Sequence, residues 1–181
     1  MSDAELLTLF KEEEKARYAF DLLVQEYGER LYWHIRKMVV SHDDANDVLQ
    51  NCLIKAWNGL PGFREESKLF TWLYRIATNE VITFLKKQRT HLFQSLSNVN
   101  RQITETLRSD PLFDGDAIQL KLQKAILRLP NRQRQVFNMR YFDELKYEEI
   151  SEILGTSVGA LKASYHHAAE KIEEYMRNSV D

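Results

Sequence analysis

The sequence predicts an all-α protein made of two small helical domains joined by a flexible linker, the second domain carrying a helix-turn-helix. Three observations predict it. Apolar residues recur every three or four positions through most of the 181-residue chain, the spacing of helices that bury one face. Glycine (6) and proline (3) are scarce, and no alternating Val/Ile/Thr run is bounded by hairpin turns. The periodicity lapses in residues 90–117, where Ser, Asn, Thr and Asp gather and Asp110-Pro111 and Asp114-Gly115 signal turns. The chain therefore divides into 1–89, a linker at 90–117, and 118–181.

The elements follow in order. Ser2-Asp3-Ala4-Glu5 has the spacing of a capping box and opens a first helix. Leu22, Leu23, Tyr27, Leu31, Ile35 and Met38 form the stripe of a long second helix, with Gly28 as a point of interruption. After Ser41-His42-Asp43-Asp44, the positions Ala45, Val48, Leu49, Cys52, Leu53, Ala56 and Trp57 make another stripe. Asp44, Asp47, Gln50, Asn51 and Lys55 fall off it. Gly59-Leu60-Pro61-Gly62 ends that helix, and a loop, Phe63 to Ser67, precedes a helix from about Lys68 to Gln88.

That helix buries Leu69, Trp72, Leu73, Ile76 and Ala77 and aligns Arg75, Asn79, Ile82 and Lys86 on another face, with Tyr74 beside them. Beyond the linker, Ile118, Leu122, Ala125, Ile126 and Leu129 form one short pattern, Val136, Phe137, Arg140 and Tyr141 a second, and Ile150, Ile153 and Leu154 a third. Gly155 supplies a left-handed C′ position and Ser157 the N-cap of a last helix carrying Val158, Leu161, Tyr165, Ala168, Ile172 and Met176.

Composition narrows the function. A formal charge of -2 is too low for a strong nucleic-acid binder acting alone. Residues 1–90 hold 13 basic against 14 acidic side chains, and residues 118–181 hold 10 against 9, so any DNA contact is local and needs a partner. One cysteine forms no internal disulfide, no secretory leader is evident, and no apolar run approaches the roughly 18 to 20 residues of a membrane span. A cytoplasmic location without membrane insertion is expected.

Helix, glycine-containing three-residue turn, helix over Glu148 to Ala168 is the pattern of a helix-turn-helix, whose second helix reads major-groove base edges. An αα-hairpin in a bundle has the same apolar spacing. Lys162, Ala163, Ser164, His166 and His167 point outward on the second helix, small or polar groups suited to close approach. The row Arg75, Asn79, Lys86 with Tyr74 combines cationic and aromatic groups as single-strand binding requires; a solvated face with a core tyrosine reads equally from it. His166 and His167 are adjacent, about 100° apart on a helix, and cannot both ligate one metal. Cys52 lies on a buried stripe, where a small hydrophobe is the default. No catalytic triad, phosphate loop or metal-ligand spacing occurs, so neither catalysis nor a cofactor is expected.

Read together, Asp43-Asp44-Ala45-Asn46-Asp47-Val48-Leu49-Gln50, Phe63 to Ser67, Thr71 to Asn79, Leu129-Pro130 and Tyr147 to Gly159 resemble, in order and spacing, the extracytoplasmic-function sigma factors of bacterial RNA polymerase. The resemblance implies that Asp44, Asp47, Gln50 and Asn51 dock on the β′ clamp helices of core polymerase. It implies capture of an unpaired minus-ten base by the loop Phe63, Arg64 and Ser67 with Tyr74, Arg75, Asn79 and Lys86. Arg140, Lys162, Ala163, Ser164, His166 and His167 are implied to read duplex minus-thirty-five DNA, in a domain that also meets the β flap. An anti-sigma factor is a usual partner in that family. Ser164, His167 and Ala169 stand where the family often has Arg, each lost phosphate contact flattening the salt dependence by about 0.9 in log-log slope. Lys146 stands where a capping Ser is common. The competing function is a stand-alone helix-turn-helix regulator with residues 1–89 for dimerisation or sensing; a small helical enzyme lacks any catalytic constellation.

Overall fold

Ser2 opens the first helix as its spacing predicts. Its hydroxyl accepts from the Glu5 amide at 3.3 Å and the Glu5 carboxylate accepts from the Ser2 amide at 2.8 Å, so two orphan donors are satisfied reciprocally. The computed structural model describes residues 2–91, 105 and 116–178, and nearly all of the expected linker lies outside them. Helix α1 (Asp3–Lys11) is followed by a 3-10 turn and by α2 (Ala16–Arg36). The interruption expected at Gly28 does not occur. Leu23, Leu31 and Ile35 are fully buried on both sides of it, and that burial outweighs the ~1 kcal/mol by which glycine disfavours a helix.

The Ser41 hydroxyl accepts from the Asp44 amide at 3.3 Å and starts α3 (His42–Gly59). Pro61 lies in the 3-10 turn Leu60–Gly62, after which α4 runs Leu69–His91. An alanine at Gly59 would put its Cβ 2.9 Å from the Trp72 ring, so the end of α3 and the start of α4 touch only because that side chain is missing.

Among the described residues beyond 116 there are four helices: α5 (Ala117–Leu127), capped by Asp116, α6 (Asn131–Tyr141), α7 (Tyr147–Leu154) and α8 (Val158–Asn178). At the start of α7 only half a capping box forms, because Lys146 has no side-chain acceptor; the Glu149 carboxylate accepts from the Lys146 amide at 2.9 Å. Gly155 adopts φ 62, ψ 35, and the Ser157 hydroxyl accepts from the Ala160 amide at 3.3 Å. Helix, turn, helix therefore stands where the sequence places it.

A core of Ala125, Ile126, Leu129, Phe137, Ala168 and Ile172 belongs to the second half alone. The larger core does not respect the expected division. It runs from Leu23, Leu73 and Ala77 of the first half into Val136, Met139, Ile150 and Leu161 of the second, and α4 packs against α7. The two units that the sequence divides at the linker are docked on one another.

Gly155 is the backbone position most exposed to substitution. No atom lies within 4 Å of where its Cβ would stand, so the cost is that of a left-handed L-residue alone, about 1 to 2 kcal/mol. Gly155→Ala should lower the thermal midpoint by several degrees in a circular-dichroism melt, and Gly155→Asn by less.

Candidate functional site

The acidic side of α3 is where the sequence places it. Asp43, Asp47, Gln50 and Asn51 are exposed and Asp44 is half-buried. None of the three aspartates has an ion pair among the described residues. Burial, then Asp47 and Asp43, push the Asp44 carboxyl above its ordinary value. Uncompensated negative charge of this kind is stabilised by a cationic partner.

The apolar half of this surface is not evident from the sequence. Of the stripe expected to be core, Ala45, Val48, Cys52 and Ala56 are buried, but Leu49 and Leu53 are half-buried and Trp57 is 39% exposed. Together with Phe20 and Ile54 these three line an open groove of about 660 Å³, to which Asp47 and Gln50 also contribute. Trp57 is held by edge contacts from Phe10 and Phe20, at 5.3 and 5.1 Å. The signal was a stripe too wide for one buried face.

On α4, Arg75, Asn79 and Lys86 are exposed as expected. Tyr74 takes the core alternative and corrects the strand-capture role that the resemblance implies for it. It is 1% exposed, its ring packs on Phe70 and His34, and its hydroxyl donates to the Arg30 carbonyl at 3.4 Å; a ring enclosed on these sides has no face for a base. In the preceding loop Phe63 lies against Trp72 at 5.1 Å, Arg64 is exposed and Ser67 half-buried. Glu65 has φ 58, a left-handed conformation that a residue with a Cβ adopts only when its surroundings impose it.

In the helix-turn-helix, Lys162, Ala163, His166 and His167 are exposed and Ser164 half-buried. Both imidazoles lie near the Glu170 carboxylate, at 3.3 and 3.4 Å, which the sequence reading did not foresee. Arg140 is half-buried, donating to the Leu145 carbonyl at 3.2 Å and lying over the Tyr147 ring. Arg132 reaches from α6 to the Leu154 carbonyl at 3.2 Å and to the Thr156 hydroxyl, tying the turn to the helix before it.

A polar seam joins the two halves. His34 Nδ1 donates to Asp143 Oδ2 at 3.0 Å, and its Nε2 lies 3.1 Å from the Thr78 hydroxyl. Lys37 donates to Asp143 Oδ1 and lies over the Phe142 ring. Asn138 Nδ2 donates to the Lys37 carbonyl at 3.2 Å, satisfying an acceptor just past the end of α2. Arg75 donates to the Glu152 carbonyl of α7 at 2.7 Å. The side chains of His34 and Asp143 are 1% and 4% exposed. Burial alone would raise the Asp143 carboxyl, but His34 and then Lys37 hold it below the usual carboxylate range.

No group of three potential metal ligands occurs among the described residues, and none of their helices is long and apolar enough to cross a membrane.

Residues 23–91 match the family model of sigma-70 region 2, and residues 119–172 that of sigma-70 region 4. The chain is 30% identical over 168 residues to the ECF RNA polymerase sigma factor SigW of Bacillus subtilis, covering 88% of this chain and 90% of that one. It is 30% identical over 163 residues to the ECF RNA polymerase sigma-E factor of Escherichia coli K12, covering 86% and 85%. The structure of CnrH in complex with the cytosolic domain of CnrY superimposes with a TM-score of 0.71 at 19% identity, over 98% of this chain and 99% of that one. The sigma factor RpoE in complex with the anti-sigma factor NepR from Bartonella quintana gives 0.69 at 21% identity, over 89% and 98%. Both share the fold.

Cys52 is a test of how closed the first half is. Burial, then Glu80, push its thiol up to about 12, so no appreciable thiolate exists at pH 8. A disulfide-exchange reagent should leave the native protein unmodified at that pH and label it fully once it is denatured.

Proposed function

Because the chain belongs to the extracytoplasmic-function sigma factors, transcription initiation factors that bind core RNA polymerase and direct it to promoters, we propose that its separate faces divide that work as follows. Residues 1–89 act as the polymerase-docking and minus-ten unit and residues 118–181 as the minus-thirty-five unit, joined by a linker at 90–117. Asp44, Asp47, Gln50 and Asn51 meet the β′ clamp helices, and the groove of Leu53, Ile54 and Trp57 receives apolar side chains of the same partner. The observation that carries this reading is the combination on α3: aspartates without a cationic partner among the described residues, beside exposed apolar surface that a protein acting alone does not need.

Phe63, Arg64 and Ser67 with Arg75, Asn79 and Lys86 take the minus-ten strand. Extracting a base costs a few kcal/mol of stacking, which cationic and stacking contacts must offset. Tyr74 supports that face from below. Lys162, Ala163, Ser164, His166 and His167 approach the minus-thirty-five duplex, and Arg140 stiffens the helix behind them. Contact with the β flap falls to the same domain. The near-neutral charge fits a protein whose two weak readers are held on DNA by polymerase, which supplies effective concentration; it does not fit a stand-alone regulator. An anti-sigma factor is proposed as a further partner, since one of the solved structures compared above holds an anti-sigma factor and another the cytosolic domain of CnrY.

Run-off transcription with purified core polymerase is the direct test, and no transcript from any promoter library would overturn the reading. Reversing Asp44 and Asp47 to Lys should abolish co-purification with core polymerase while leaving the helical circular-dichroism signal unchanged. Asn79→Ala should alter the preferred minus-ten base in a promoter library, with a loss of about 1 to 3 kcal/mol if a bidentate base contact disappears. Closed-complex binding should be spared.

A further inference from the structure

The reading face of α8 carries its fixed positive charge on a single side chain. Lys162 is the only lysine or arginine between Val158 and Ala169, and the two imidazoles one turn further on lie near the Glu170 carboxylate. We propose that Tyr147, at the start of α7, is a positioning residue for minus-thirty-five recognition: its ring holds the Lys162 ammonium in place for the duplex without neutralising it. The proposal rests on the reading of α8 as the minus-thirty-five helix.

The Lys162 Nζ lies over the Tyr147 ring, 5.8 Å from its centroid, inside the roughly 6 Å within which a ring quadrupole attracts a cation. No carboxylate among the described residues forms an ion pair with Lys162. The choice of partner matters. A carboxylate would fix the ammonium and also cancel the charge that a phosphate or a base edge requires, whereas an aromatic face has no net charge. Lysine is a flexible side chain whose rotamer freedom is lost on binding. One that is already held near its bound place loses less.

The ring is itself held. The Glu149 carboxylate accepts from the Lys146 amide at 2.9 Å and fixes the start of α7. The Tyr147 ring meets Tyr165 edge-on at 6.4 Å, Tyr165 stacks on Phe137 at 5.5 Å, and Phe137 belongs to the core of the second unit. Arg140, tied to the Leu145 carbonyl at 3.2 Å, lies over the Tyr147 ring at 5.3 Å. A chain of aromatic contacts therefore runs from that core to the ammonium. Core filling does not account for the ring, because Tyr147 is only half-buried and borders an open cleft of about 410 Å³ with Arg140, Tyr141, Glu144 and Tyr165. Locked neighbours of this kind are what hold a recognition group accurately.

The test uses holoenzyme assembled from core polymerase and the full-length chain. The probe is a promoter duplex that the parent holoenzyme selects from a library randomised over the minus-thirty-five element. Tyr147→Leu keeps an apolar side chain and removes the ring, and should weaken binding by about two- to fivefold, the size of an exposed cation–π contact. Tyr147→Phe should bind as the parent does. A trifluorinated phenylalanine placed at 147 keeps the ring's shape but withdraws its electrons; it should reproduce the loss even where the Leu variant does not fold. In a Lys162→Met background the changes at 147 should cost nothing further. Parent-like binding with the fluorinated ring would overturn the proposal. A loss with Phe as large as with Leu would do so too, by pointing to a hydroxyl contact with DNA, and an undiminished loss in the Lys162→Met background would point to a merely structural ring. If Lys162→Met costs no affinity, the minus-thirty-five reading of Lys162 fails and the positioning role with it. If Lys162→Met weakens binding and the changes at 147 do not, that reading stands and the positioning role alone fails.

Discussion

The carboxylate of Asp143 is buried at a point where two helical units meet, and the arrangement of the molecule turns on what surrounds it. A lone charge there would cost many kcal/mol in lost hydration. His34 and Lys37 remove most of that penalty, and in doing so they fix the end of α2 against the end of α6. Beside that fixed point Asn138 reaches the Lys37 carbonyl, α7 lies on α4, and Arg75 donates to the Glu152 carbonyl. Removing one member of such a pair generally costs about 3 to 5 kcal/mol, even where replacing the whole pair by apolar groups would not.

Helix α3 shows how one short segment can serve two demands. Its innermost positions, Ala45, Val48, Cys52 and Ala56, are small or medium-sized, which lets α2 and α4 approach closely. Its flanking apolar positions, Leu49, Leu53 and Trp57, are left over from that packing. Because the aspartates occupy the next strip around the helix, polar and apolar recognition elements share a single rigid support. A side chain on such an element is placed more accurately than one on a loop.

Features governed by neighbours in the chain were legible in the sequence. The caps at Ser2 and Ser157 and the left-handed Gly155 each depend on a few adjacent residues, and each forms as its spacing implies. Features governed by distant pairing were not. His34 and Asp143 are separated by 109 positions, and neither lies in a pattern that names the other; the one hint is a titratable His34 among the apolar residues Leu31, Ile35 and Met38, where a buried imidazole needs a partner. Periodicity also cannot tell a core position from a groove position, since both are apolar at helical spacing. Trp57 was read as core for that reason, and the sequence left Tyr74 open between a core position and a strand-binding one.

The contacts of Asp143 have a consequence for the chain between the two units. His34 and Lys37 lie 109 and 106 positions before it, so their pairing closes a long loop. Loop-closure entropy grows only with the logarithm of length, by about 0.6 kcal/mol for each doubling. The docking of the two units is therefore insensitive to short insertions or deletions in the sequence that joins them.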